Sequence, residues 1–156
     1  MAAKEGGVIE RIHIITRAQE RLEDITRRVN DIVRRLKMDE GLCHLYVPHT
    51  TAGIIVNENA DPEVARDILE RLEALAPRSG RYRHAEGNAH AHIKASLVGQ
   101  SVTIPIEGGE LALGRWQGVF LAEFDGPRER TVIVSATMTA AKSLEETIPE
   151  EFRKKL

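Results

Sequence analysis

Short strand-like runs separated by turn residues make up most of this chain, and they limit the folds that it can adopt. Residues 8–16 alternate β-branched and polar side chains, which predicts a first, half-buried strand. After residue 100 the pattern is almost entirely that of strands. Helices that interrupt many short strands indicate an α+β domain in which the strands pair antiparallel.

Three stretches change from the period of a strand to that of a helix. Residues 22–36 place their apolar side chains three and four apart, which predicts an amphipathic helix. Asp61-Pro62 is typical of a helix start, because an acidic cap precedes a proline at the first helical position, and Pro77 ends this helix. Asn88 can cap a third, short helix that ends at Gly99.

Two pairs of strand-like runs in the second half are each separated by a few turn residues. Gly108-Gly109 suits a tight hairpin turn between its two neighbouring runs. Residues 125–128 lie between the runs 118–124 and 131–138, so a second hairpin is predicted there. Both predictions place consecutive strands side by side.

Composition restricts the class of protein. A chain of 156 residues is long enough for one domain with its own core and too short for two. The formal charge of −2 gives no broad positive field, so nucleic acid is not an expected partner. No long apolar run or export signal is present, so we expect no membrane contact and a cytoplasmic location. The single Cys43 lies in an apolar strand and is interpreted as a buried thiol.

Histidines are the main candidates for chemistry. His49 follows Pro48 at a strand end or bulge, where it either makes one structural hydrogen bond or serves as a ligand. His84 in a loop and His92 on a helix are eight residues apart and can converge on one ion. The alternative is that both are surface histidines. His90 points to a different face of the helix from His92 and is not assigned as a ligand.

Four other side chains each allow a chemical and a structural interpretation. Glu123 lies on a strand with two apolar faces, so its carboxylate either ends the buried part or meets a cation, a metal or a backbone donor. If it faces the histidines, it can act as a ligand or general base. Trp116 either forms a pocket wall or packs at an interface. Arg128 and Arg130 are either phosphate-binding forks or solvated turn charges.

The candidate residues occur within a fixed order of motifs: His49-Thr50-Thr51-Ala52, Asn57-Glu58-Asn59, Asp61-Pro62, Tyr82-x-His84, Glu86-Gly87-Asn88, Ala91-His92-Ile93-Lys94, Trp116-Gln117-Gly118 and Glu123. Together they resemble the YjbQ family. The resemblance implies a single YjbQ-like domain with a core at about residues 8–138 and a C-terminal extension at 139–156. It also implies an α+β fold, a two-layer antiparallel β-sandwich with packed helices, assembled as a homotrimer.

The resemblance further implies an activity, because members usually carry the label secondary thiamine-phosphate synthase. We therefore expect a metal-binding transferase that joins hydroxymethylpyrimidine diphosphate to thiazole phosphate, giving thiamine phosphate and diphosphate. The implied metal ligands are His49, His84 and His92, and three imidazoles suit zinc better than magnesium, which is the second choice. The other expected site residues are catalytic Glu123 and His49 and substrate-binding Thr50, Asn57, Asn88, Lys94 and Trp116.

Two alternative functions would use the same side chains. A metal-assisted hydrolase acting on a small phosphorylated metabolite would use Glu123 to activate water. A non-catalytic oligomeric module would bind a small ligand or hold a metal structurally. A structural metal site is closed, whereas a catalytic one keeps a position open for water or substrate.

Overall fold

The computed structural model describes residues 7–139, so most of the expected C-terminal extension lies outside the described residues. The described chain contains eight strands and three helices. Their order is β1 Val8–Ile15, β2 Arg21–Asp24, α1 Thr26–Arg35, β3 Gly41–Tyr46, β4 Ala52–Glu58, α2 Pro62–Leu75, α3 Ala89–Val98, β5 Ser101–Glu107, β6 Glu110–Leu111, β7 Gln117–Glu123 and β8 Glu129–Met138.

The strands form two antiparallel sheets that face each other. The larger sheet has the order β1-β8-β3-β5-β6 and the smaller has the order β2-β7-β4. Apolar side chains from both sheets and from α1 meet in the main core, including Leu45, Leu121, Val132 and Val29. The α+β class and the two-layer β-sandwich are thus confirmed.

The smaller sheet is covered on both faces. Its second face packs against α3 and α2 in a separate apolar cluster, which includes Phe120, Phe124, Ala91 and Ala95. Because both faces of the smaller sheet are buried, β7 is apolar on both sides, and its sequence is a nearly continuous hydrophobic run.

The first helix begins later than predicted. Leu22 belongs to β2, which pairs with β7, and α1 starts at Thr26. Asp24 is the last residue of β2, and its Oδ1 accepts a hydrogen bond at 2.9 Å from the backbone N–H of Thr26, the first residue of α1. Leu22 is buried like the helix residues that follow it, so the spacing of apolar residues alone did not separate strand from helix.

The two hairpin predictions have opposite outcomes. β5 and β6 pair across Gly108 and Gly109, whose φ angles of 58° and 77° suit glycine, and this hairpin is confirmed. The hairpin predicted at 125–128 is wrong, because β7 pairs with β2 and β4 while β8 pairs with β1 and β3. Residues 125–128 instead connect the two sheets at one end of the sandwich.

The later helices begin near their predicted positions. Asp61 caps α2 by accepting a hydrogen bond from the N–H of Glu63 at 2.9 Å. Asn88 precedes α3 but does not cap it with its side chain; its Nδ2 donates to Asp125 at 3.0 Å instead. None of the helices within residues 7–139 has the length and apolar character of a membrane span.

Close packing at Gly53 sets the position of α3 on the smaller sheet. A Cβ at residue 53 would lie 2.5 Å from the carbonyl oxygen of Gly99 and 2.5 Å from a methyl carbon of Val98. We expect Gly53→Ala to lower the free energy of unfolding by about 1–3 kcal/mol in urea denaturation, because the packed backbone must move. Gly114→Ala is the control, since its methyl group would meet only the flexible side chain of Gln117 at 3.4 Å. Unchanged stability of Gly53→Ala would contradict the close approach.

Candidate functional site

A cavity of about 370 Å3 opens at the end of the sandwich where residues 125–128 cross between the sheets. The connection between β3 and β4 forms a second wall, and the segment leading into α3 forms a third. The polar lining residues are His49, Thr50, Thr51, Glu86, Asn88, His92, Asp125, Arg128 and Arg130. Three separate parts of the chain therefore converge on one polar cavity.

Arg130, in the wall of this cavity, forms an ion pair with Glu123, which lies behind the wall. The exposed fraction is 0% for the Glu123 side chain and 4% for that of Arg130. Nε of Arg130 donates to both carboxylate oxygens, at 2.9 and 3.1 Å, while Nη2 donates to Glu123 and to Oγ1 of Thr51. Nη1 has no acceptor within residues 7–139, and Arg130 is one of the residues that line the cavity.

The carboxylate of Glu123 has further donors. Oγ1 of Thr16 donates to it at 2.7 Å, and the backbone N–H groups of Phe124 and Asp125 donate at 3.1 and 3.2 Å. Both oxygens are thus hydrogen-bonded inside the protein. Glu123, the expected general base, lies behind the cavity wall, where its carboxylate orients Arg130 instead of meeting a ligand.

His49 is held in one tautomer. Its Nε2 accepts a hydrogen bond from the backbone N–H of Thr131 at 2.9 Å, so the proton of the neutral ring is on Nδ1. Burial, followed by the charge of Arg130, lowers the pKa of His49 and keeps the ring neutral at pH 7. In this state His49 donates through Nδ1–H and has no free lone pair for a metal ion.

The other two expected metal ligands lie side by side. The rings of His84 and His92 meet edge to face, with their centroids 5.2 Å apart. His92 lines the cavity together with His49, whereas His84 is not part of the lining and has its Nε2 3.6 Å from Glu86. The structure therefore brings two of the three expected histidines to one cavity.

The expectation of zinc is corrected on these grounds. In the part of the chain that the structure describes, no three His, Cys, Asp or Glu side chains are arranged to hold a metal ion. The lone pair of His49 Nε2 is already used by Thr131. The described residues of one chain therefore do not fit a zinc site.

The remaining expected site residues are divided between different places. Thr50 and Asn88 line the cavity. Asn57 pairs with Gly118 at the opposite end of β4 from the cavity, and Trp116, which is 59% exposed, lies beyond that end of β7. One chain alone does not bring Asn57 and Trp116 to the histidines.

Lys94, expected to bind phosphate, lies elsewhere. It is fully buried on a different face of α3 from His92, and its ammonium donates to the carboxylates of Glu20 and Glu73. The pKa of Glu73 is lowered chiefly by this hydrogen bond. His90 is buried nearby, and neither of its ring nitrogens has a hydrogen-bond partner among residues 7–139.

Asp125 is a site residue that the sequence analysis did not single out. Its Oδ2 accepts hydrogen bonds from Asn88 at 3.0 Å and from Arg128 at 2.9 Å. Burial opposes its ionisation, but these bonds hold the pKa of Asp125 below its ordinary value. No sequence signal pairs Asp125 with Asn88. For Arg130 the sequence did contain a signal, because the alternation of side chains along β8 places Arg130 on the same inward face as Val132.

Comparison with known proteins identifies the relatives of this chain. The profile of the family described as UPF0047 protein YjbQ-like matches residues 10–139. The chain belongs to this family. A UPF0047 protein of Methanocaldococcus jannaschii is 51% identical over 121 residues, which cover 78% of this chain and 88% of the relative.

Solved structures of the UPF0047 family share the fold. A YbjQ-like protein of unknown function from Sulfolobus solfataricus is 34% identical, with a TM-score of 0.82 over 86% of this chain and 99% of that protein. An uncharacterized YjbQ/UPF0047 protein from Clostridium acetobutylicum is 50% identical, with a TM-score of 0.78 over 80% and 97%. The resemblance inferred from the motifs is thus confirmed.

Membership of the UPF0047 family corrects the expected activity. The relatives are described by family name alone, and the Sulfolobus protein is described as having unknown function. Nothing among them supports a thiamine-phosphate synthase, a transferase or a metal-binding enzyme, including a metal-assisted hydrolase. These expected activities, whether implied by the resemblance or considered as an alternative, are therefore wrong.

The Glu123–Arg130 pair predicts a large effect on stability. We expect Glu123→Ala to lower the free energy of unfolding in urea by about 3–5 kcal/mol, because the guanidinium would remain buried without its counter-ion. Glu110→Ala is the matched control: it removes an ion pair with Arg34 in which both side chains are exposed, so little change is expected. Equal effects of the two substitutions would contradict the structural role of the buried pair.

Proposed function

We propose that the cavity binds a small phosphorylated molecule by its phosphoryl oxygens. The observation that carries this proposal is the orientation of Arg130 by Glu123 and Thr51, which leaves Nη1 without an acceptor in the described chain. A guanidinium offers N–H donors in a plane that matches the oxygens of a phosphoryl group. Fixing it before the ligand arrives reduces the ordering cost of binding.

Other donors of the cavity support the same ligand. His49 offers Nδ1–H, because Nε2 is occupied by Thr131. Thr50 and His92 line the cavity, and neither side chain has a hydrogen-bond partner within residues 7–139. A hydroxyl and an imidazole N–H are both donors to phosphoryl oxygens. Several donors of different chemistry can therefore converge on one anionic group.

The charge balance favours a small ligand over a polyanion. Arg130 is paired with Glu123, and Arg128 is paired with Asp125. These carboxylates neutralise the arginines, so recognition depends on directed hydrogen bonds and not on a broad positive field. The cavity of about 370 Å3 falls within the range usual for small-molecule sites. Asp125 and Glu86 can accept hydrogen bonds from hydroxyl groups of the same ligand.

Binding can be measured by calorimetry with glycerol 3-phosphate as the probe. We expect binding to the unaltered protein and about a tenfold or greater loss of affinity in Arg130→Lys and in His92→Phe, because each removes a hydrogen bond to a charged group. Glycerol should not bind detectably. Arg115→Gln is the control, since this exposed arginine lies at the other end of β7. No binding at millimolar glycerol 3-phosphate, or equal loss in all three variants, would contradict the proposal.

We also propose that the protein assembles as a homotrimer, as the family resemblance implies. The supporting feature is the outer face of the larger sheet. Ile9, Ile15, Leu42 and Tyr46 point away from the core on this face and are 42–70% exposed. Ile133 lies beside Tyr46 on the same face. An outer sheet face exposed to water is normally polar, and several large apolar side chains on such a face are typical of an interface.

Sedimentation tests the assembly. We expect a species of three times the 17.4 kDa of the chain at micromolar concentration. Tyr46→Glu should dissociate it, because a charge would be buried in the interface. Leu75→Glu, at an exposed apolar position at the end of α2, is the control and should leave the mass unchanged. A monomer in the unaltered protein would overturn the trimer.

A further inference from the structure

The segment between β1 and β2 lies directly behind the wall that carries the two arginines of the cavity. The N–H of Gly126 donates to the carbonyl oxygen of Gln19 at 3.0 Å, and the N–H of Thr16 donates to the carbonyl oxygen of Arg128 at 2.9 Å. A Cβ at Gly126 would collide with the carbonyl oxygen of Ala18. Residues 16–19 therefore pack tightly against the 125–128 connection without lining the cavity themselves.

The hydroxyl of Thr16 joins both parts of this wall. Oγ1 donates to Oε1 of Glu123 at 2.7 Å and accepts the backbone N–H of Arg128 at 2.9 Å. The residue is 3% exposed, so water does not replace these bonds. One hydroxyl thus contacts the counter-ion of Arg130 and the main chain of Arg128.

We propose that Thr16 is a positioning residue for the anion site, fixing Arg130 through Glu123 and Arg128 through its backbone. The inference rests on the proposed function, because it concerns the binding of the same phosphorylated ligand. Loss of the hydroxyl removes one donor from Glu123 and leaves the N–H of Arg128 without its acceptor. Glu123 and Arg130 then gain freedom to shift together, and small shifts of positioning groups weaken recognition strongly.

Three variants test this role with glycerol 3-phosphate in calorimetry. Thr16→Val keeps the shape of the side chain and removes the hydroxyl, and it should weaken binding about tenfold. Thr16→Ser restores the hydroxyl and should bind like the unaltered protein. Thr139→Val is the control, because Thr139 is an exposed threonine after the end of β8, outside the cavity. If Thr16→Val does not fold, Thr16→Ala removes the same hydroxyl without pressing a methyl group against Glu123.

A second measurement needs no ligand. The Nε–H of Arg130 donates to Glu123, so its 1H–15N signal should be sharp and protected from exchange in the unaltered protein and in Thr16→Ser. In Thr16→Val the signal should broaden, or exchange faster than in a variant that is equally destabilised at a distant position. A merely destabilising variant elsewhere, such as Gly53→Ala, supplies the comparison.

The outcomes separate the two proposals. If the unaltered protein does not bind glycerol 3-phosphate, the proposed function fails, and the Arg130 signal alone decides whether Thr16 positions the arginine. If the unaltered protein binds and Thr16→Val binds equally well, the role of Thr16 is overturned while the anion site stands. Weak binding in Thr16→Ser as well as Thr16→Val would also overturn it, because the hydroxyl would then not be the cause.

Discussion

The buried ion pair between Glu123 and Arg130 joins the two sheets at one end of the sandwich. Glu123 ends β7 of the smaller sheet, and Arg130 lies on β8 of the larger one. Removing two charges from water is costly, and the cost is offset only where hydrogen bonds satisfy both groups. Here Thr16, Thr51 and two backbone N–H groups complete the network, and the cavity is built on its outer side.

This arrangement separates the residues that could contact a ligand from those that hold them in place. A carboxylate such as that of Glu123 can act as a general base, but both of its oxygens accept hydrogen bonds inside the protein and the side chain is fully buried. Arg130 is also nearly buried, yet one of its nitrogens remains without a partner among the described residues. Most side chains at the cavity surface, Thr50 and Arg128 among them, are carried by the connections between elements, while His92 lies on α3 and the strands provide the rigid support.

Much of the fold could be predicted from the sequence because the relevant signals are local. Asp61-Pro62 starts α2, and Gly108-Gly109 turns the β5–β6 hairpin, as local cap and turn chemistry require. The predictions that failed depended on partners distant in sequence. Leu22 packs with apolar residues of β7 and α3 and not with those of α1. Likewise, β7 and β8 are consecutive in sequence but belong to different sheets.

The site was predictable only in part for a related reason. The motifs pointed to His49, Thr50, Asn88 and His92, which do meet in one cavity. The spacing of residues could not show that the backbone of Thr131 occupies one nitrogen of His49, or that Lys94 is enclosed by two carboxylates. Both facts arise from tertiary contacts. The family resemblance implied the correct architecture, but it also implied an activity that the descriptions of the relatives do not support.

The position of Trp116 has a practical consequence for spectroscopy. It is the only tryptophan of the chain, it is largely exposed, and it lies at the far end of the smaller sheet from the cavity. Its indole emission therefore reports on the solvent environment of that far end. An unchanged emission spectrum on addition of a metabolite is thus no sign that the cavity is empty, and an optical assay of occupancy needs a fluorophore introduced near the opening.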